Sequence, residues 1–225
     1  MNNPQAVLFD VGQTILSPDY PFLKDLLAQY GVETNLSNLA LGAARAREKF
    51  FRGNRGEPWK EFFSFWFAAV GARAGDLPAL LTRVYERHHA VYLWNYVEPT
   101  ARQTFAALRA MGLRLGIVSN ADGKVQAVLN QLELAPFFSC IIDSKIVGVE
   151  KPDPAIFQYA LQTLSLPAEN CVYVGDHYDR DVTGARNAGL LPILLDPFDI
   201  VPERDVTRIK VLAELVDLLR KHRRS

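Results

Sequence analysis

The sequence predicts an α/β fold, a doubly wound parallel sheet interrupted by an inserted helical bundle. Three observations predict it. A short apolar run, Ala6-Val7-Leu8-Phe9, ends in Asp10 and a turn. From Thr100 onward, amphipathic helical patterns alternate with short apolar runs, the rhythm of a parallel sheet with helical crossovers. Between these two parts, from about Pro18 to Tyr96, the pattern is helical almost throughout.

Residues 6–10 read as a buried strand that delivers one carboxylate to a strand end. In open α/β sheets ligands sit beyond the carboxyl ends of the strands, so Asp10 is placed for chemistry. Residues 20–30, 36–51, 58–72 and 77–96 read as helices, separated by Gly31, a loop around Gly53 and Gly56, and the stretch from Gly71 to Gly75. No strand is expected inside this block, which is read as a second domain over 18–96. Its hinges are Ser17-Pro18 and Val97-Glu98-Pro99, so the sheet domain comprises 1–17 and 97–225. Helix over 100–111, closed by Gly112, is followed by a strand over 113–118. Helix 123–132, strand 138–143 and helix 154–164 come next, the last with proline in its first turn. Strand 170–174, helix 181–188, strand 191–195 and an amphipathic helix over 211–221 complete the chain.

The chain has 225 residues, 49% of them hydrophobic, enough to bury a sizeable core. Its 25 basic and 25 acidic side chains cancel, which leaves no electrostatic footprint for nucleic acid or an anionic membrane. The basic tip, Arg220-Lys221-His222-Arg223-Arg224, reads as a solvated helix end with cations at the negative pole of the dipole. The two cysteines, Cys140 and Cys171, lie in apolar segments and read as buried, reduced thiols in strands. With no secretory pattern at the N-terminus and no run of membrane-spanning length, a cytoplasmic protein is expected, as monomer or homodimer.

Several polar groups fall at or just after predicted strand ends. Ser119-Asn120 follows the strand over 113–118, Lys151 stands in Glu150-Lys151-Pro152, and Gly175-Asp176 ends the strand over 170–174, with Asp181 shortly after. Parallel topology gathers all of them on one edge with Asp10. The chemistry this set suits is phosphoryl transfer to a carboxylate, with Asp10 as nucleophile. Asp176 and Asp181 would hold a hard divalent cation together with Asp10, in the sparse carboxylate ligation magnesium prefers. The Ser119 hydroxyl and the Asn120 backbone N–H would grip phosphoryl oxygens, and the N–H groups around Val11 and Gly12 would complete the cradle. Lys151 would supply a point charge to the transferring group and the crowded carboxylates.

The set resembles the haloacid dehalogenase-like (HAD) superfamily. Phe9-Asp10-Val11-Gly12-Gln13-Thr14 is similar to its first motif except at Gly12, where the family has a second aspartate. Val118-Ser119-Asn120 resembles the second motif, Lys151 in Gly148-Val149-Glu150-Lys151-Pro152 the third, and Gly175-Asp176 through Asp181 the fourth in its metal-binding form. The helical insertion resembles the type-1 (C1) cap on a Rossmann-like core. The resemblance implies magnesium held by Asp10, the Gly12 carbonyl and Asp176, with Asp181 in support, and a small phosphorylated metabolite as substrate.

Gly12 spares that metal site and removes the carboxylate that resembles the family's general acid/base. Such a proton donor is typically worth ~10²–10⁴-fold in rate, most for alkyl phosphates whose leaving group needs a proton. An inactive or weakly active phosphoryl-binding protein, a pseudophosphatase, is therefore the alternative to a phosphatase. His177 has the pKa range of a replacement, although its plain reading is a partly exposed loop histidine. A haloacid dehalogenase is disfavoured because Asp176 and Asp181 look built for a cation. A phosphonatase would need a cap lysine, and Lys24, Lys49 and Lys60 stand in no distinguishing pattern. In the insertion, the aromatic residues Phe50, Phe51, Trp59, Phe63, Trp66 and Phe67 read as core, while Arg45, Arg47, Arg52 and Arg55 are candidates to read a leaving group.

Overall fold

The computed structural model describes residues 4–50 and 59–222. The expectations for Phe51, Arg52, Arg55, Arg223 and Arg224 lie outside the described residues. The chain divides into two compact units, one of residues 1–16 and 97–225, the other of residues 17–96.

The first unit is built on a six-stranded parallel sheet. Its strands are β1 (Ala6–Phe9), β4 (Arg114–Ser119), β5 (Cys140–Asp143), β6 (Cys171–Gly175), β7 (Leu191–Leu195) and β8 (Thr207–Ile209), in the order β5-β4-β1-β6-β7-β8. Phe9 pairs with Ile117 on one side and Val174 on the other, while Ser119 pairs with Asp143. This register brings the first residues beyond β1, β4 and β6 to a common edge, which is where the polar groups of the sequence stand. The strands are apolar on both faces because helices cover both. On one face Leu8, Ile156, Phe157, Leu161 and Tyr173 form a continuous core. On the other, the Phe9 ring meets Phe105 edge-on at 5.3 Å. The surrounding helices are α5 (Ala101–Ala110), α6 (Val125–Gln131), α7 (Ser144–Val147), α8 (Ala155–Leu164), α9 (Gly184–Asn187) and α10 (Glu214–His222).

The second unit holds the inserted helices α1 (Tyr20–Gln29), α2 (Leu36–Phe50), α3 (Trp59–Ala69) and α4 (Leu77–Val91). Asp19 caps α1 through a hydrogen bond from Phe22 N at 3.1 Å, and its carboxylate also pairs with Arg87 at 2.6 Å. Phe62, Phe63, Trp66 and Phe67 are buried with Leu23, Leu27 and Leu39 as the core of this unit. Helices α2 and α3 approach closely at Gly42, where a Cβ would stand 2.6 Å from the Trp66 indole. Arg47 is buried in α2. Lys49 lays its ammonium 4.3 Å from the Phe65 ring centre.

Some expectations are corrected. The helix expected over 77–96 ends at Val91, and Trp94–Val97 forms a strand, β3, paired with β2 (Leu16–Pro18). The cause is local: Tyr92 takes φ +36°, which stops the helix, and the Asn95 amide donates to the Tyr92 carbonyl at 3.1 Å. The helix expected from 181 starts earlier, as a π-helical turn over Tyr178–Thr183 that runs into α9. The last helix begins at Glu214 rather than 211, and β8 had no counterpart in the sequence reading.

Candidate active site

Asp10 directly follows β1, and its backbone N–H still donates to Val174 O at 2.9 Å, so its carboxyl emerges at the edge of the sheet from a fixed backbone. The turn beyond it is tight. Ile15 N and Leu16 N both donate to Val11 O, at 3.0 and 2.9 Å, and Gln13 N donates to Leu16 O at 2.7 Å. Gly12 stands in this turn, bridged to Leu16, and Gln13 adopts φ +56°.

Lys151 arrives from the loop between α7 and α8. Its Nζ donates to Asp10 Oδ1 at 2.7 Å, to Asp181 Oδ1 at 2.7 Å and to the Tyr173 hydroxyl at 2.8 Å. The Ser119 hydroxyl donates to the same Asp10 oxygen at 3.2 Å. Asn120 acts on the backbone of that lysine. Its side-chain amide donates to Lys151 O at 3.0 Å and its side-chain oxygen accepts from Lys151 N at 2.7 Å. The side chain of Asn120 thus fixes the loop that carries Lys151, a task the sequence reading did not give it.

Asp181 rides on the π-helical turn, and its Oδ2 accepts from His177 N at 2.9 Å. It reaches this position because residue 175 has no side chain: a Cβ there would stand 2.3 Å from Asp181 Cγ. His177 is buried, not partly exposed as expected, because its Nδ1 caps the turn by accepting from Arg180 N at 3.3 Å. Asp143, at the end of β5, was missed as a support of this edge. Its buried carboxylate accepts from Gly123 N, Val125 N and Lys145 N and so braces the loop after β4. The signal was available, since an aspartate closing an apolar strand seldom lies idle.

Burial dominates the electrostatics. It raises the Asp10 carboxyl above the ordinary value, against the opposing pull of the Lys151 ammonium. At Asp181 burial pushes the same way, but Lys151 and His177 outweigh it and hold the carboxyl below its ordinary value. Burial would lower Lys151, and the two carboxylates overcome it and raise the ammonium. Tyr173 is raised well above its usual value, by burial first and then by Asp181.

Asp10, Asp176 and Asp181 are all buried, and each offers an oxygen within 4.8 Å of the others. Three hard oxygen donors around one small space suit a hard divalent cation such as magnesium better than a soft metal. The geometry therefore joins Asp10, Ser119, Lys151, Asp176 and Asp181 at one point, with Asn120 behind Lys151 and Gly12 in the adjoining turn.

Residues 4–189 match the profile of the haloacid dehalogenase-like hydrolases. The chain belongs to this family. A glyceraldehyde 3-phosphate phosphatase from Methanopyrus kandleri is 30% identical over 239 residues, covering 96% of this chain and 99% of that protein. Haloacid dehalogenase-like hydrolase domain-containing protein 3 of Danio rerio is 39% identical over 99 residues, 44% of this chain and 41% of that protein, so the likeness spans less than half of that relative. Among solved structures, the magnesium-bound HAD hydrolase YfnB from Bacillus subtilis superposes with a TM-score of 0.65 at 22% identity, over 97% of this chain and 100% of that one. At that identity the likeness speaks for the fold. The HAD-type core with an inserted helical region is thus common to both. No described helix is long and apolar enough to cross a membrane.

Proposed function

We propose that this HAD hydrolase is a magnesium-dependent phosphatase that cleaves a small phosphorylated metabolite through an aspartyl-phosphate on Asp10. The observation that carries the reading is the convergence of Asp10, Lys151, Asp176 and Asp181 in one buried cluster. The relatives named glyceraldehyde 3-phosphate phosphatase support a small phosphate ester as substrate.

In this reading an Asp10 oxygen attacks phosphorus, and the bond to the leaving oxygen breaks with its electron pair going to the leaving group. Water then attacks the phosphorus of the aspartyl-phosphate, the bond to Asp10 breaks, and inorganic phosphate leaves with the carboxylate regenerated. The Ser119 hydroxyl and the backbone N–H groups of Asn120, Val11 and Gly12 hold phosphoryl oxygens. Lys151 stabilises the negative charge that gathers there. Asp10, Asp176 and the Gly12 carbonyl, supported by Asp181, would hold magnesium. When bound, the ion offsets repulsion between the phosphoryl group and the carboxylates.

Gly12 favours a second reading. Without a carboxylate two residues beyond Asp10, the leaving group lacks its proton donor, and a protein that binds phosphate while turning over negligibly becomes the alternative. A magnesium-dependent hydrolysis screen of aryl, acyl and alkyl phosphates, with Asp10→Asn as the blank, separates the two. Turnover that depends on Asp10 and favours good leaving groups is the expected outcome. Magnesium and phosphate binding with no turnover above the blank would establish the binding protein instead.

A further inference from the structure

We propose that Ser144 is a positioning residue for the phosphoryl grip: its hydroxyl fixes the backbone at Ala121, and with it the Asn120 peptide and the Lys151 loop. The proposal rests on the reading of Ser119, Asn120 and Lys151 as the groups that hold phosphoryl oxygens.

The regular ladder between β4 and β5 ends where Ser119 pairs with Asp143. At Ser144 the chain turns into α7, so its backbone no longer extends that ladder. A side chain takes over. The buried Ser144 hydroxyl accepts from Ala121 N at 3.1 Å and donates to Ala121 O at 3.3 Å, serving both polar backbone atoms of one residue. A hydroxyl can do this because it carries one proton and two lone pairs. Asn120 repeats the device in the opposite direction. Its side chain donates to Lys151 O and accepts from Lys151 N, at 3.0 and 2.7 Å. Residues 120 and 121 are thereby joined to both ends of the segment from Ser144 to Lys151.

The Asn120 N–H thus stands between two fixed points, Ser119 in the ladder and Ala121 on Ser144. Asp143 secures the same loop only further on, at Gly123 and Val125. Ala121 is half-buried, so water can replace both bonds when the hydroxyl is deleted. The loop then persists, but the Asn120 N–H and Lys151 lose their common frame, and an incoming phosphoryl group must order them as it binds. Ser144 acts through Ala121 and Asn120 and touches neither substrate nor metal.

The test is calorimetric titration with inorganic phosphate at saturating magnesium chloride, for the wild type, Ser144→Ala and Leu219→Ala. Ser144→Ala deletes one hydroxyl, with retention of the fold checked by circular dichroism. It is expected to raise the phosphate Kd roughly 3- to 10-fold, the range set by one net hydrogen bond. Leu219 is fully buried on α10, so Leu219→Ala should lower the melting temperature at least as far while leaving the phosphate Kd unchanged. An unchanged Kd in Ser144→Ala, or an equal shift in both variants, overturns the proposal. A flat wild-type titration overturns it by a different route, since it removes the phosphoryl-binding reading itself.

Discussion

Lys151 and Asp10 stand 141 residues apart in the chain and 2.7 Å apart in the fold, and both are buried. Together with Asp181 they form a three-membered charge cluster in which one cation serves two anions. Removing one partner of such a buried group leaves charge with nothing to offset its lost hydration. Lys151→Met is therefore expected to destabilise the metal-free protein by about 3–5 kcal/mol. Urea unfolding in the presence of a chelator measures it, and a loss under 1 kcal/mol would mean that the cluster contributes little net stability.

Gly175→Ala adds a single methyl group where Asp181 Cγ lies 2.3 Å from the built position. Either β6 or the turn carrying Asp181 must shift. A stability loss of about 1–3 kcal/mol is expected, as for other overpacked cores, together with weakened magnesium binding. Retention of both properties would show that the turn yields more easily than its hydrogen bonds imply.

Asp10→Asn should abolish phosphate hydrolysis, since the amide is a poor nucleophile and cannot be regenerated as a carboxylate. Gly12→Asp should act in the opposite direction and selectively. It restores a carboxylate two residues past Asp10, so hydrolysis of alkyl phosphates should rise by roughly 10- to 100-fold while acyl phosphates change little. Comparing kcat/KM for one substrate of each kind decides it. Equal gains on both would point to a change in binding rather than in proton delivery.

Burial pushes both thiols up, Cys140 to about 11 and Cys171 to about 11, from an ordinary value of 9.0. The folded state therefore favours the neutral thiol. That contribution to stability is complete below pH 9 and is lost as pH rises towards 11. Alkylation needs the thiolate, so at pH 8 iodoacetamide should modify the native protein far more slowly than the denatured chain. Mass spectrometry showing rapid labelling of either cysteine in the native state would contradict the buried placement.

The strand-end polar residues were legible because the parallel topology follows from the rhythm of the sequence, and topology brings Asp10, Ser119 and Asp176 to one edge, while the loop held by Asn120 delivers Lys151 and the π-helical turn delivers Asp181. What the sequence hid were groups whose task is invisible in one dimension. Tyr173 sits mid-strand among Cys171, Val172 and Val174 and reads as core, and only the folded sheet, in which β1 separates β6 from β4, brings its hydroxyl to Val118 O. The end of α4 depends on a tyrosine with positive φ, which no local preference announces. Strand β8 is three residues long, held by neighbours rather than by its own pattern: Arg208 pairs with Asp196, whose carboxylate also accepts from Ile200 N and Val201 N.

The family profile stops at residue 189, two positions before β7 begins at Leu191. Yet β7 lies between β6 and β8 in the sheet, so the ladder holding the strand of Tyr173 and Gly175 is completed by chain that the profile does not reach. A chain cut where the profile ends would turn β6 into a bare edge, with unpaired N–H and C=O groups next to the candidate site. For grafting or trimming this chain, the indivisible module is therefore set by the hydrogen-bonded sheet and extends past the family profile.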